Sequence, residues 1–314
     1  MKIHRLSGPP PVELARALVV FEEPFTYPLG PGRFFRISHG ADYTSFFRAQ
    51  GKEACFIAEQ DGRVLGALGT ALRKLRMPDG TEQTVAYFGD LKIAESARGG
   101  MILIRLAHAA EAWLRPQVQA GFGVVMGGTS LTPEAYTGRA GIPDFRELGR
   151  LMVLRISGGE GINASGNQLR TTEENGRRCF ERLSRGQYAC PVGAARVRSE
   201  IEPAWLLTAH GSACGVLEDT RRAKRLISND GTEMLSAHLS CFAYQNAEAG
   251  AEVIRAALRR AVQLGLPALF ASVAEPHAPV LREVLGEFNV IAAPAIVYGT
   301  GLEPGCWNIN SAEI

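Results

Sequence analysis

Residues 98–100, Arg-Gly-Gly, stand where an apolar segment, 84–93, gives way to a strongly apolar helical stretch, 101–114. A strand that runs into a helix leaves the first backbone N–H groups of the helix without intrahelical partners. Their partial positive charge attracts anions. Glycines there let the backbone approach an anion with no side chain between. Arg98 adds a permanent positive charge in a planar fork that suits phosphate oxygens. The chemistry that fits is the cradling of a pyrophosphate. The same triplet also makes an ordinary tight turn with a solvated arginine, so its meaning depends on its neighbours. Here a strand with turn signals precedes it and a helix follows at once.

The elements that must position this loop can be read along the chain. Lys2–Leu6 is expected as a short strand. Pro9-Pro10-Pro11 opens a helix over 12–21, with apolar residues at helical spacing. A Gly/Pro-rich connection and a short helix over 42–48 follow. Apolar runs at 55–59 and 64–75, joined by Asp61-Gly62, read as a hairpin. Asp79-Gly80 marks the turn into the strand 84–93. After the helix come a short buried strand over 122–126 and a second helix opened by Thr132-Pro133-Glu134. The unit closes with a strand over 151–156. Residues 157–171, rich in Gly, Ser and Asn, read as a linker. The order strand, hairpin, strand, helix, strand, helix, strand then recurs over 172–300, which points to an internal duplication.

Composition narrows the classes. The chain has 314 residues, 46% hydrophobic and 21% charged, enough for two ordinary domains with real cores. A net charge of +2 gives no global field toward nucleic acid or membrane. No apolar run is long enough to span a bilayer, and no signal peptide is read at the N-terminus. The cysteines are scattered without CxxC spacing and the histidines without HExxH, so neither a metal site nor a disulfide framework is expected. A cytoplasmic protein with free thiols is the simplest reading.

On these residues the N-terminal half resembles the GNAT superfamily of acyl-CoA-dependent N-acyltransferases. The element order over 1–156 follows the family's nearly throughout. The family's loop motif is Arg/Gln-x-x-Gly-x-Gly/Ala. Leu91-Lys92-Ile93 fills the strand end before it, and Arg98 the first motif position. Gly99 and Gly100 fill the free positions. Met101 stands where the family has its central glycine, Leu103 where it has Gly or Ala, and Leu106 matches the apolar residue that follows. The motif is degenerate, and Gly100 is the residue available for close approach. The resemblance implies acetyl-CoA or another acyl-CoA as co-substrate, held by Leu91, Lys92, Ile93, Arg98, Gly99, Gly100, Met101 and Ile102, with no metal. It also implies transfer of the acyl group, acetyl in the simplest case, to a primary amine of a small molecule or peptide.

Amide formation from a thioester needs a neutral amine, an oriented carbonyl and a proton source for the leaving thiolate. The family supplies much of this from backbone N–H groups of a splayed fourth strand, which by resemblance is 86–94. Asp90 and Glu95 are the carboxylates nearest to that splay as general bases. For Asp90 the competing role is an ion pair, since an acid in so apolar a strand needs a partner. For Glu95 it is a solvated residue favourable to a helix dipole. A tyrosine general acid is expected in the fourth helix. Tyr136 is the phenol there, out of register with the family's slot, and packing is its competing role. His108 and Trp113 fit the helix core.

Residues 172–314 resemble a second, degenerate GNAT-like domain. No phosphate loop precedes 247–264, where Asn246, Glu248 and Glu252 suit a helix dipole and oppose pyrophosphate. The basic stretch 177–198 lacks aromatic interleaving and reads as a solvated face rather than a nucleic-acid surface. The expected fold is α/β with mixed sheets: two tandem GNAT-like domains, 1–156 and 172–314, each a mostly antiparallel sheet flanked by helices. The expected function is N-acyl transfer. A catalytically inactive binding or regulatory protein on the same fold is the alternative.

Overall fold

Asp61 and Gly62 both take left-handed backbone, with φ of 52° and 76°. A two-residue turn of this kind matches the twist of paired strands, and it closes the hairpin of β4 (Lys52–Gln60) and β5 (Arg63–Arg76). Around this hairpin a computed structural model describes residues 1–28, 34–129, 131–158 and 169–314. Before it come β1 (Lys2–Leu6), α1 (Val12–Glu22), β2 (Thr26–Pro28), β3 (Phe34–Ser38) and α2 (Ser45–Arg48). After it come β6 (Glu82–Ile93), α3 (Ile102–Leu114), β7 (Gly121–Met126) and β8 (Arg146–Ser157). The second half holds α4 (Glu173–Leu183), β9 (Tyr188–Ala189), α5 (Ala195–Arg198), β10 (Ala204–Leu207), β11 (Ala213–Glu218), β12 (Arg225–Ser228) and β13 (Ala237–Tyr244). It ends with α6 (Ala247–Gln263), β14 (Ala268–Ala274), α7 (Ala278–Val284), β15 (Asn289–Thr300) and β16 (Trp307–Asn308). Most of the 157–171 connection lies outside the described residues.

The two halves share one sheet, ordered β1-β4-β5-β6-β7-β15-β8-β14-β13-β11-β10. The last strand of each half lies against the other half. β15 pairs with β7 through Val297 opposite Val124, and with β8 through Ala292 opposite Leu154. β8, expected to close the first unit, pairs on its other side with β14. Arg225–Ser228 stands outside this sheet, where β11 pairs with β10 and β13. It pairs with β3 in a separate three-stranded sheet, β12-β3-β2. Thr132-Pro133-Glu134 opens only a 3-10 turn, Pro133–Ala135, rather than a helix. The mixed sheet flanked by helices is otherwise the fold expected. Among the described residues no helix is long and apolar enough to cross a membrane.

Helix α3 buries Ile102, Leu106, Ala110 and Leu114, a stripe at four-residue spacing, against Phe56, Leu68 and Ala86 of β4, β5 and β6. The opposite face of the same strands packs on Phe47, Leu18 and Tyr43. Gly66 permits this approach, because a Cβ there would lie 2.8 Å from the Ile102 side chain.

A buried charge network joins the halves. Arg198, wholly buried at the end of α5, reaches both oxygens of Glu218 at 2.7 Å and Glu313 at 2.9 Å. Glu313 also pairs with Arg73 of β5 at 2.9 Å, and its backbone carbonyl accepts from the Tyr87 hydroxyl of β6. Burial pushes the Glu313 carboxyl up, but Arg73 and Arg198 outweigh burial and hold it below its ordinary range. Removing one partner of such a set strands the others in a low-dielectric interior. Arg198→Met should therefore lower the unfolding free energy by about 3–5 kcal/mol in a denaturant titration at neutral pH. A carboxyl with a lowered folded pKa stabilises above its unfolded value, about 4.3, and the contribution disappears as pH falls through the folded one. The gap between wild type and variant should thus narrow on acidification. A loss below about 1 kcal/mol at neutral pH would show the network to be dispensable.

Candidate functional site

The site is built where β6 and β7 part. They pair in parallel only from Ala86 to Phe88, against Gly121 to Gly123. The approach is close, since a Cβ at Gly121 or Gly123 would come within 2.6 Å of Phe88. Beyond Phe88 β6 continues to Ile93 and β7 to Met126 with no mutual pairing. Their facing edges then carry backbone N–H and C=O groups outside the ladder.

A bulge lies at the same place. Gly69 of β5 is opposite Gly89, and Ala67 is opposite Lys92, so Asp90 and Leu91 together face one residue of β5. Asp90 takes left-handed backbone, φ 57°. The extra residue resets the alternation of side chains. Phe88, Leu91 and Ile93 pack toward α3, whereas Tyr87, Asp90 and Lys92 face the opposite layer.

That opposite layer holds a cluster the sequence reading lacked. Glu22 from α1 and His39, just after β3, pair at 2.5 Å through His39 Nδ1, and the His39 backbone N–H donates to the same carboxylate at 3.1 Å. Lys92 Nζ lies 2.7 Å from Asp90 and 3.4 Å from Glu22. The Tyr43 hydroxyl donates to Asp90 at 2.6 Å. Burial pushes the Asp90 carboxyl up, but Lys92 and His39 overcome it and hold it at about 2. Burial alone would lower Lys92, yet Asp90, Tyr27 and Glu22 raise it. Asp90 is thus a permanent anion, and a weak proton acceptor. Glu22, His39 and Asp90 could each offer a ligand to a cation. The Lys92 ammonium already sits between the two carboxylates, so the cluster is read as an ion-pair network.

A cavity of about 610 Å³ opens at the parting of the strands, lined from both faces of the sheet. Leu91, Leu103, Ala107, Phe88 and Phe145 line the α3 side. Tyr27, Phe35, His39, Phe46, Asp90 and Leu226 line the other. β8 and the second half add Val153, Phe270 and His238. Lys224 also reaches the wall, where it donates to the backbone carbonyl of Ile314 and stands over the Phe46 ring. The lining is apolar apart from a few convergent polar groups, the usual makeup of a ligand site.

Of the residues expected from sequence, Asp90, Leu91 and Tyr136 line this cavity. Burial raises the Tyr136 phenol to about 12, so it keeps its proton at neutral pH. Lys92 and Ile93 sit behind the wall, Lys92 in the ion-pair cluster. Glu95 is exposed in a 3-10 turn, Glu95–Ala97, and is not part of the lining. Arg98, Gly99 and Gly100 form an exposed loop at the start of α3, with Gly99 at φ 78°. Met101 is the N-cap, and its side chain is 58% exposed, directed away from the core. Ile102 is buried under the sheet, and Leu103 is the first α3 residue in the wall. His108 bonds the carbonyl of Ala140 at 2.7 Å and ties α3 to that turn. Trp113 packs beside Phe56.

No protein-family model and no curated protein matches the sequence. Solved structures do match the fold. A Saccharomyces cerevisiae N-myristoyltransferase with bound myristoyl-CoA aligns with a TM-score of 0.62 at 8% identity, over 99% of this chain and 87% of that one. A second structure of that enzyme with bound myristoyl-CoA gives a TM-score of 0.65 at 8% identity, over 99% and 82%. At that identity the likeness is one of architecture. The chain shares the fold of these structures, the mixed α/β GNAT fold.

Proposed function

We propose that this protein is an acyl-CoA-dependent N-acyltransferase. The observation that carries the reading is the parting of β6 and β7 beside a cavity that α3 lines from Leu103 to Leu114. Unladdered N–H groups on the β6 edge suit a polarised thioester carbonyl, as preorganised donors do in acyl transfer. The Arg98–Gly100 loop suits the pyrophosphate of CoA. The exposed course of Met101 leaves the backbone N–H groups of the first α3 turn uncovered by that side chain. Tyr136, a phenol that stays protonated, suits the proton donor to the leaving thiolate. Asp90 belongs to the framework of the site rather than to proton transfer. In this reading residues 1–156 supply the CoA side, and a small-molecule or peptide amine would enter between walls from both halves, Lys224, His238 and Phe270 among them.

We read the acyl group as larger than acetyl. An acetyl group would leave most of a 610 Å³ apolar cavity empty, and the structural neighbours named above hold myristoyl-CoA.

Two measurements follow. Calorimetry of acyl-CoA binding should give wild-type affinity that Arg98→Glu weakens roughly tenfold or more, as expected for loss of a charged phosphate contact and its replacement by a like charge. A folded wild type that binds no acyl-CoA would leave only the inactive-scaffold alternative. In a series from acetyl-CoA to myristoyl-CoA, each methylene that enters the cavity should add ~0.8 kcal/mol, about fourfold in affinity. Affinity independent of chain length would return the reading to an acetyl-sized group.

A further inference from the structure

We infer that His39, oriented by Glu22, is the base that deprotonates the acceptor amine; this rests on the acyltransferase reading above. The geometry is that of an imidazole held by a carboxylate behind it. Glu22 accepts from His39 Nδ1 at 2.5 Å and from the His39 backbone N–H at 3.1 Å. Two bonds to one buried carboxylate fix the ring and place its proton on Nδ1, so Nε2 carries the lone pair. Nε2 has no hydrogen-bond partner among the described residues, although His39 lines the cavity. An unused acceptor on a ring otherwise buried by Tyr43, Phe46 and Phe47 is left for a ligand.

His39 also stands in the right place. Its Nδ1 is 3.8 Å from Asp90, two residues past the point where β6 leaves β7. The charged and titratable groups around it are Glu22 from α1, Asp90 and Lys92 from β6, Tyr43 before α2, Tyr27 from β2 and, across the cavity, Lys224. Glu22 and Asp90 are the carboxylates that face the imidazolium once it has taken the proton, with Lys92 between them.

The step balances as follows. The acceptor ammonium gives one proton to Nε2, and its freed lone pair attacks the thioester carbon. The C–N bond forms and the C–S bond breaks. Tyr136 gives its proton to the leaving sulfur and is recharged by the second nitrogen proton, and His39 returns the first to solvent.

The tautomer can be read without knowing the acceptor. Nitrogen NMR of the full chain should show neutral His39 protonated at Nδ1 and bare at Nε2, an arrangement lost in Glu22→Gln. A proton on Nε2 instead would overturn the proposal. In kinetics, His39→Gln should bind acyl-CoA as wild type does, while thiol release with benzylamine falls on the order of a hundred- to ten-thousand-fold. The deficit should shrink as rising pH deprotonates benzylamine, and it should nearly vanish with hydroxylamine, which is already neutral. Equal deficits with both amines would assign His39 a positioning role, and no deficit would remove it from the mechanism. Either result leaves the acyltransferase reading intact. Absence of acyl-CoA binding by wild type would take both down.

Discussion

Asp90 takes a left-handed backbone within a half-buried strand, an arrangement that costs about 1–3 kcal/mol and lasts only where its surroundings over-determine it. Those surroundings are Lys92, Tyr43 and His39, which together hold the carboxylate ionised. Much of the site depends on this residue. The bulge turns Asp90 and Lys92 away from α3, and Leu91 and Ile93 toward it. It coincides with the loss of pairing between β6 and β7. An acid that is buried, ionised and strained is therefore best understood as the fixed point from which the cavity wall is built.

The second constraint is the crossing of the terminal strands. With β15 between β7 and β8, neither half has a complete sheet of its own. The interface between the halves is then a run of backbone hydrogen bonds, not a face of side chains that can slide. Arg198, Glu218, Glu313 and Arg73 reinforce the junction with charge from both sides. The cavity inherits this rigidity, because its walls come from both halves.

Much of the fold was legible because its signals are local. Asp61-Gly62 announced the β4–β5 hairpin, and the stripe Ile102, Leu106, Ala110 and Leu114 announced α3. Thr172 and Asn246 cap α4 and α6 at the expected starts, with side chains that accept from Asn175 and Ala249. What failed was non-local. Residues 225–228 have strand chemistry, but no pattern in them says that their partner is β3, nearly two hundred residues earlier. Thr132-Pro133 has the chemistry of a helix start, and the glycines at 138 and 141, both at positive φ, end the turn before a helix forms. Within the site, Asp90 and Tyr136 were visible by type and by position relative to the loop. Glu22 and His39 were not, since one lies on an amphipathic helix and the other beside a Gly/Pro-rich connection. A buried Glu at the end of α1 was the one local hint, for an acid facing a core requires a counter-group.

The crossing also bears on the order in which the molecule can assemble. Until residues 289–300 have left the ribosome, β7 has no neighbour on its outer side. The partner strand arrives more than 160 residues later. Contacts so distant in sequence form late and slowly. During synthesis the first half thus presents an unpaired edge, the kind that invites the wrong strand. The glycines of β7, which let it lie close to β6, also deprive that edge of bulky side chains to guard it. The chain accordingly depends on its last long strand both to close the sheet and to end a period of exposure.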